Sequence, residues 1–151
     1  MINGVKIKEL VTFADDRGIF REIWRSDDEG MGSVAQTSIT MTFPGVIKAF
    51  HYHKLQTDIW YVYGGQARVV LYDLREDSST RGQADTIVCG QHRPLAIFIP
   101  TMVAHGYQVL GSEPVVLLYH TSRTYNQKTP DEYRIPFDDP GVGYDWAVKN
   151  R

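Results

Sequence analysis

The stretch Gly45-Val46-Ile47-Lys48-Ala49-Phe50-His51-Tyr52-His53 decides the reading of this chain. It follows the turn signal Phe43-Pro44-Gly45 and reads as a strand over Ile47–His53. Side chains of a strand alternate between its faces. His51 and His53 are therefore expected to share a face with Ile47 and Ala49, with Phe50 and Tyr52 opposite. Two imidazoles among aliphatic neighbours point to a barrel interior that turns polar at one spot. Downstream come Asp58 and Gly64-Gly65, and then a third histidine, His105, in Ile99-Pro100-Thr101-Met102-Val103-Ala104-His105-Gly106.

The same texture runs along most of the chain. Short apolar or alternating runs are predicted as strands at Val5–Thr12, Ile19–Arg25, Val34–Phe43, Ile59–Val62, Gln66–Asp73, Thr86–Cys89, Leu95–Ile99, His105–Val109 and Val115–His120. Between them lie Asp15-Asp16-Arg17-Gly18, Asp28-Glu29-Gly30, Gly64-Gly65 and Gly111-Ser112-Glu113-Pro114. Many short strands punctuated by Gly and Pro imply an all-β sandwich or barrel. A few short helices at most are expected, near Asp27–Met31 and after Pro130. From Tyr125 to Arg151 the chain is polar, with rings at Tyr133, Phe137, Tyr144 and Trp146. That tail is expected to be irregular and packed over the barrel by its aromatics.

With 151 residues, one domain over residues 1–151 is expected. The net charge of −2, with no Lys/Arg block, gives no basis for nucleic-acid or anionic-membrane binding. The single cysteine, Cys89, excludes an intrachain disulfide and suits a reducing compartment. Without a signal-like N-terminus or a long apolar run, a cytoplasmic location is expected.

The two histidine-bearing stretches resemble the signature motifs of the cupin superfamily. The first runs from Gly45 through His51, His53 and Asp58 to Gly64 or Gly65. The second runs from Pro100 to His105 and departs at Met102, where the pattern has glycine, and near Gln108, usually asparagine. A cupin or jelly-roll barrel (a double-stranded β-helix) is the fold this implies. Within that superfamily the chain is similar to the dTDP-4-dehydrorhamnose 3,5-epimerase family over most of its length. The resemblance rests on Asp16-Arg17-Gly18-Ile19-Phe20-Arg21-Glu22, Gly45–Tyr52, Pro100–Gly106, Leu118-Tyr119-His120-Thr121, Tyr125-Asn126 and the block Asp138–Trp146.

The resemblance implies proton abstraction beside a 4-keto group of a nucleotide-linked sugar, without a cofactor or metal, in a homodimer whose N-terminal strands join the neighbour's sheet. It places His51 as general base, a task suited to imidazole, and Tyr119 as proton donor. His105 and Tyr125 match other pocket positions. Arg17, Phe20, Glu22 and Gln36 match positions at the nucleotide or its phosphates, and Lys48 replaces an arginine. The family's catalytic lysine falls on Asp58, and its aspartate partner for the histidine lies past Arg151. Asp58 is then a candidate to orient His51. A second reading takes His51, His53, Asp58 and His105 as the three-histidine, one-carboxylate ligand set of metal-binding cupins, suited to Fe(II), Mn(II), Ni(II) or Zn(II). A third is a sugar-nucleotide-binding cupin without chemistry.

Overall fold

Apolar alternation sorts the strands into two facing layers. The computed structural model describes residues 1–149; Asn150 and Arg151, the end of the predicted tail, lie outside the described residues. The strands are β1 (Lys6–Glu9), β2 (Phe13–Asp15), β3 (Gly18–Phe20), β4 (Gln36–Thr42), β5 (Ile47–Tyr52), β6 (Asp58–Gly64), β7 (Gln66–Asp73), β8 (Ala84–Gly90), β9 (Leu95–Ile99), β10 (Val103–Leu110), β11 (Val115–Thr121) and β12 (Tyr133–Arg134). One five-stranded sheet has the order β1-β9-β6-β11-β4, the other β12-β5-β10-β7-β8, and β2 and β3 form a separate hairpin. Neighbours are antiparallel throughout. The fold is an all-β jelly roll of the cupin kind.

No helix occurs among the described residues, which corrects the expectation of short ones. Around Asp27–Met31 the chain makes turns closed by Asp28 N–H to Arg25 O (3.1 Å) and Met31 N–H to Asp28 O (3.2 Å), and Lys8 Nζ anchors the Asp28 carboxylate at 2.6 Å. After Pro130 the chain forms β12 on β5 instead.

The main core lies between the sheets and includes Trp60, Val62, Val69, Leu71, Ile97, Tyr107 and Leu117. The opposite faces are covered too. Ile59 and Tyr61 of β6 turn outward onto Leu10 and Met31, while Phe50, Val70 and Ala104 turn outward under Trp146 of the tail. Covering both faces is why β6 and β7 read as nearly continuous apolar runs. Each such buried side chain contributes roughly 1.5–3 kcal/mol of transfer free energy.

The β7–β8 connection is fixed by one buried carboxylate. Asp73 (1% exposed) accepts hydrogen bonds from Arg75 Nε and Nη2, both 2.8 Å, and from the Ser78 and Thr80 hydroxyls, both 2.6 Å. Burial alone pushes its pKa up, but the guanidinium and the hydroxyls outweigh burial and hold the group below the usual carboxylate range. A depressed folded-state pKa stabilises the fold above the unfolded value of about 4, and that contribution is lost as pH falls through the folded value. Asp73→Asn is expected to cost about 1.5–3 kcal/mol at neutral pH in urea denaturation, with the gap to wild type narrowing below about pH 4. A gap that stays constant with pH counts against this account.

Candidate active site

A cavity of about 1010 Å³ opens between the two sheets, lined by Lys48, His51 and His53 on one side and Asp58, Trp60 and Tyr119 on the other, with His105 and Tyr107 behind them. Pockets of a few hundred to about 1,000 Å³ hold ligands of small-molecule size.

A bulge in β5 decides what faces this cavity. His105 pairs with His51, but Tyr107 pairs with Lys48, so two steps along β10 span three along β5. The extra residue rotates the strand between Lys48 and His51. Lys48, His51 and His53 therefore all point into the cavity, while Ile47, Ala49, Phe50 and Tyr52 pack on the outer cluster. This corrects the expectation that Ile47 and Ala49 share the face of His51. The strands approach closely here: a Cβ on Gly106 would lie 2.3 Å from Ala49 Cβ. The turn before β10 places Met102 at φ +59°, the left-handed conformation that explains the glycine of the cupin pattern. Met102 N–H donates to the His53 carbonyl at 2.8 Å and ties that turn to the end of β5.

His51 is half-buried, and its Nδ1 lies 3.1 Å from Glu132 Oε1. A carboxylate only accepts, so Nδ1 carries the proton and Nε2 keeps its lone pair. Burial is the main cause that lowers the imidazole's pKa, with Arg134 adding to it and Glu132 opposing it. The ring is thus a neutral base at neutral pH, oriented by a charged acceptor. Glu132 is in turn bound by Arg134 Nη2 at 2.8 Å. β12 makes this contact, because Arg134 stands opposite His51 in the register.

Asp58 is not the partner of His51, which overturns that expectation. It is buried (3% exposed) and accepts from Gln56 Nε2 at 2.7 Å and Trp60 Nε1 at 3.2 Å. Its Oδ2 faces His53 Nε2 at 3.6 Å and His105 Nε2 at 3.7 Å. Burial raises the Asp58 pKa, but His53, His105 and Gln56 outweigh it and keep the carboxyl below its usual value. Burial pushes His105 down to about 4 despite Asp58. For His53 burial also acts downward, but Asp58 and Asp131 outweigh it and the pKa rises. The donor atoms of His53, Asp58 and His105 lie within 4.8 Å of one another. His51 is not among them, so the predicted four-residue ligand set reduces to three.

The remaining predicted residues divide into two groups. Tyr119, opposite Trp60 and Ser38 in the register, lines the cavity and is half-buried. Gln36 lines its mouth, donating from Nε2 to Ser38 Oγ at 3.1 Å and accepting the Tyr125 N–H at 2.9 Å. Tyr125 stands at the rim, 60% exposed. Lys48 Nζ donates to Thr40 Oγ1 at 3.1 Å. Arg17, Phe20 and Glu22 do not reach this cavity. Arg17 is engaged by Asp15, Phe20 packs against Phe13 with ring centroids 6.3 Å apart, and Glu22 pairs with Arg25 at 3.2 Å.

Several residues that hold the histidines of the cavity escaped the sequence reading. Glu132 is the partner of His51. Asp131 accepts the backbone N–H groups of Lys54, Leu55 and Gln56 at 2.8–3.0 Å, and its carbonyl receives His53 Nδ1. The available signal was the acidic pair Asp131-Glu132 directly after Pro130 in an otherwise irregular tail.

A jelly-roll barrel with a polar, histidine-lined pocket between its sheets defines a cupin. A sequence model of the dTDP-4-dehydrorhamnose 3,5-epimerase family matches residues 1–151. The chain is 48% identical over 151 residues to the spore coat polysaccharide biosynthesis protein SpsL of Bacillus subtilis, covering 100% of both chains. It is 40% identical to the probable low-salt glycan biosynthesis epimerase Agl13 of Haloferax volcanii, over 98% of this chain and 96% of that one. A dTDP sugar isomerase from Desulfovibrio desulfuricans superposes with a TM-score of 0.90 at 26% identity, over 99% of this chain and 94% of that one. The epimerase RmlC from Legionella pneumophila, solved with dTDP-4-keto-L-rhamnose, superposes with a TM-score of 0.87 at 25% identity, over 99% of this chain and 82% of that one. The chain belongs to the dTDP-4-dehydrorhamnose 3,5-epimerase family and is an epimerase-like protein. Among the described residues, no helix is long and apolar enough to cross a membrane.

Proposed function

We propose that this chain epimerises a dTDP-linked 4-keto-6-deoxyhexose at C3, C5 or both. His51 Nε2 removes the proton beside the ketone, and Tyr119 returns one from the opposite side of the cavity. The observation that carries this reading is the His51–Glu132 pair: a neutral imidazole with its outer nitrogen held by a carboxylate at 3.1 Å and its inner nitrogen free beside the cavity. Lys48 and Arg123, both exposed at the cavity, supply cations for the diphosphate, and Gln36 and Tyr125 flank its mouth. Incubation with a dTDP-4-keto-6-deoxyglucose in D₂O tests it. Deuterium at C3 or C5 is expected by NMR. Nucleotide-sugar binding by calorimetry without any exchange would mark a binding protein instead.

Glu132 acts through His51 as a positioning residue. Glu132→Gln keeps an acceptor but removes the charge, and is expected to lower kcat about tenfold with KM little changed, toward the low end of general-base effects. Glu132→Ala is expected to lose more, and Glu132→Asp to recover part of the loss. Equal loss in all three would reduce Glu132 to a packing role.

The assembly belongs to the same proposal. β4 is an edge strand whose outward Ile39 and Met41 are 68% and 59% exposed, and the β2–β3 hairpin exposes Phe13, Ile19 and Phe20. Bare edges with apolar side chains invite pairing. A homodimer covers them and carries Arg17, Phe20 and Glu22 toward the partner's cavity. Light scattering is expected to give a dimer, and Ile39→Glu with Met41→Glu a monomer. A monomeric wild type ends this part of the proposal. The buried thiol of Cys89, pushed up to about 12 mainly by burial, makes no demand for an oxidising compartment, in keeping with a cytoplasmic location.

A further inference from the structure

The segment that follows β11 is built in a way that proton transfer does not call for. Both of its ends are pinned to the same short connection, Lys54–Thr57, between β5 and β6. At one end Ser122 N–H donates to Thr57 O at 3.0 Å, and Thr57 N–H returns to Ser122 Oγ at 2.9 Å. At the other end the Asp131 carboxylate accepts the N–H groups of Lys54, Leu55 and Gln56 at 2.8–3.0 Å. Residues 123–130 thus form a loop of the Ω type, with its two ends close together on one footing.

Little holds the middle of this loop. Every residue from Arg123 to Pro130 is exposed, and none belongs to a strand or to an apolar cluster of the barrel. Among the described residues, its one hydrogen bond to a distant element is Tyr125 N–H to Gln36 Oε1 at 2.9 Å, at the start of the edge strand β4. No hydrogen bond or ion pair from residues 123–130 crosses to β5 on the facing sheet. An Ω-loop is ordinarily packed by its own side chains, but here Arg123, Tyr125, Asn126 and Thr129 line the cavity. Exposed backbone with few buried contacts lies at the low-stability end of a fold, from which binding loops and lids are drawn.

The loop carries the chemistry of a ligand clamp. A guanidinium suits phosphate oxygens, and among the described residues Arg123 pairs with no carboxylate. Tyr125, 60% exposed, offers a ring face with a polar tip. We propose that residues 123–130 are a strap, hinged on Lys54–Thr57 and latched by Gln36, that a bound dTDP-sugar holds closed over the cavity. The ligand class rests on the epimerase reading. The diphosphate at Arg123 and the ring of Tyr125 against the nucleotide supply the contacts that the strap lacks on its own, and they offset the cost of ordering it. Because the hinge is a single connection, the strap swings without disturbing either sheet. Closure keeps water from the enolate while the proton is in transit.

Hydrogen exchange of the full chain, read by mass spectrometry with and without dTDP, tests the strap. Without nucleotide, residues 123–130 are expected to exchange nearly as fast as unfolded chain while β7 and β10 stay protected. With dTDP at saturation, fixed by calorimetry, exchange in 123–130 is expected to slow at least about tenfold, because the strap then opens only when the ligand leaves. The exposed turn Gly111–Pro114, at the other end of β11, is expected to exchange alike in both states. Gln36→Leu, checked for folding by circular dichroism, removes the acceptor for Tyr125 N–H. It is expected to speed dTDP dissociation about two- to tenfold in stopped flow, the weight of one hydrogen bond. An unchanged dissociation rate overturns the latch. Saturation by dTDP with no slowing in 123–130 overturns the strap and leaves the nucleotide-sugar reading standing. Slow exchange there before nucleotide is added overturns the strap too, as does equal slowing at Gly111–Pro114. Absence of any dTDP binding overturns the strap together with that reading.

Discussion

His51→Asn is expected to slow deuterium exchange into a dTDP-4-keto-6-deoxyhexose by about 10²–10⁴-fold, the range of a lost general base. The expectation follows from the ring's setting. Glu132 at 3.1 Å fixes the Nδ1 tautomer, and burial keeps the ring uncharged at neutral pH by lowering its pKa. What is left is a lone pair on Nε2 with no hydrogen-bond partner among the described residues. Asparagine preserves a polar group of similar reach, and its side-chain oxygen or nitrogen still meets Glu132 or Arg134. It has no titratable nitrogen with which to take a carbon-bound proton. Binding of dTDP by calorimetry is expected to change little, because the proposal places His51 at the sugar and leaves the cations Lys48 and Arg123 to the diphosphate. Exchange within about threefold of wild type would remove His51 from the chemistry and turn attention to Tyr119 as the base.

The Gly45–His53 stretch shows how far the sequence could be read. The strand, its histidines and its place in a cupin barrel were legible because apolar runs and turn residues report local geometry. β7 and β9 match the predicted limits residue for residue, since each is bounded by a turn and packed on both faces. The facing of Ile47 and Ala49 was not legible. It depends on a bulge whose cause lies in the pairing with β10, where Gly106 admits Ala49, and nothing within β5 announces it. The site shows the same division. His51, Asp58 and His105 were named from motif spacing and Tyr119 from the family resemblance, and all four line one cavity. Their partnerships were not, because Glu132 meets His51 across 81 positions of chain. Asp58 faces His53 and His105 instead of His51 because contacts between side chains of the two facing sheets settle that choice. Arg17, Phe20 and Glu22, expected at the nucleotide, lie on or just after the β2–β3 hairpin and do not line this chain's own cavity.

Trp146→Ala is expected to destabilise the fold by about 3–5 kcal/mol, the range for removing a large buried aromatic. The ring is 7% exposed and lies 5.6 Å from Phe50 and 4.7 Å from Tyr144 between ring centroids. Its Nε1–H donates to Phe137 O at 2.9 Å, and its own carbonyl accepts from Arg68 Nη1 at 3.0 Å. Truncation opens a void over Phe50, Val70 and Ala104 and leaves the Phe137 carbonyl without its donor. The consequence reaches the site, because the segment that Trp146 clamps is continuous with β12, and β12 holds Glu132 against His51. Phe50 N–H donates to Ile135 O at 2.7 Å and Ile135 N–H returns to Phe50 O at 3.0 Å, so the tail and β5 move as one while the clamp holds. Trp146→Ala is therefore expected to lower kcat and to speed proteolytic cutting within residues 125–149 at urea concentrations where the barrel is still folded. Trp146→Phe, which refills much of the void but lacks the indole donor, is expected to recover most of the stability. A loss below about 1 kcal/mol for Trp146→Ala, against the 3–5 kcal/mol of a filled core position, would mean that the tail does not clamp the site. Unchanged proteolysis would mean the same, and Glu132 would then be held by β12 pairing alone.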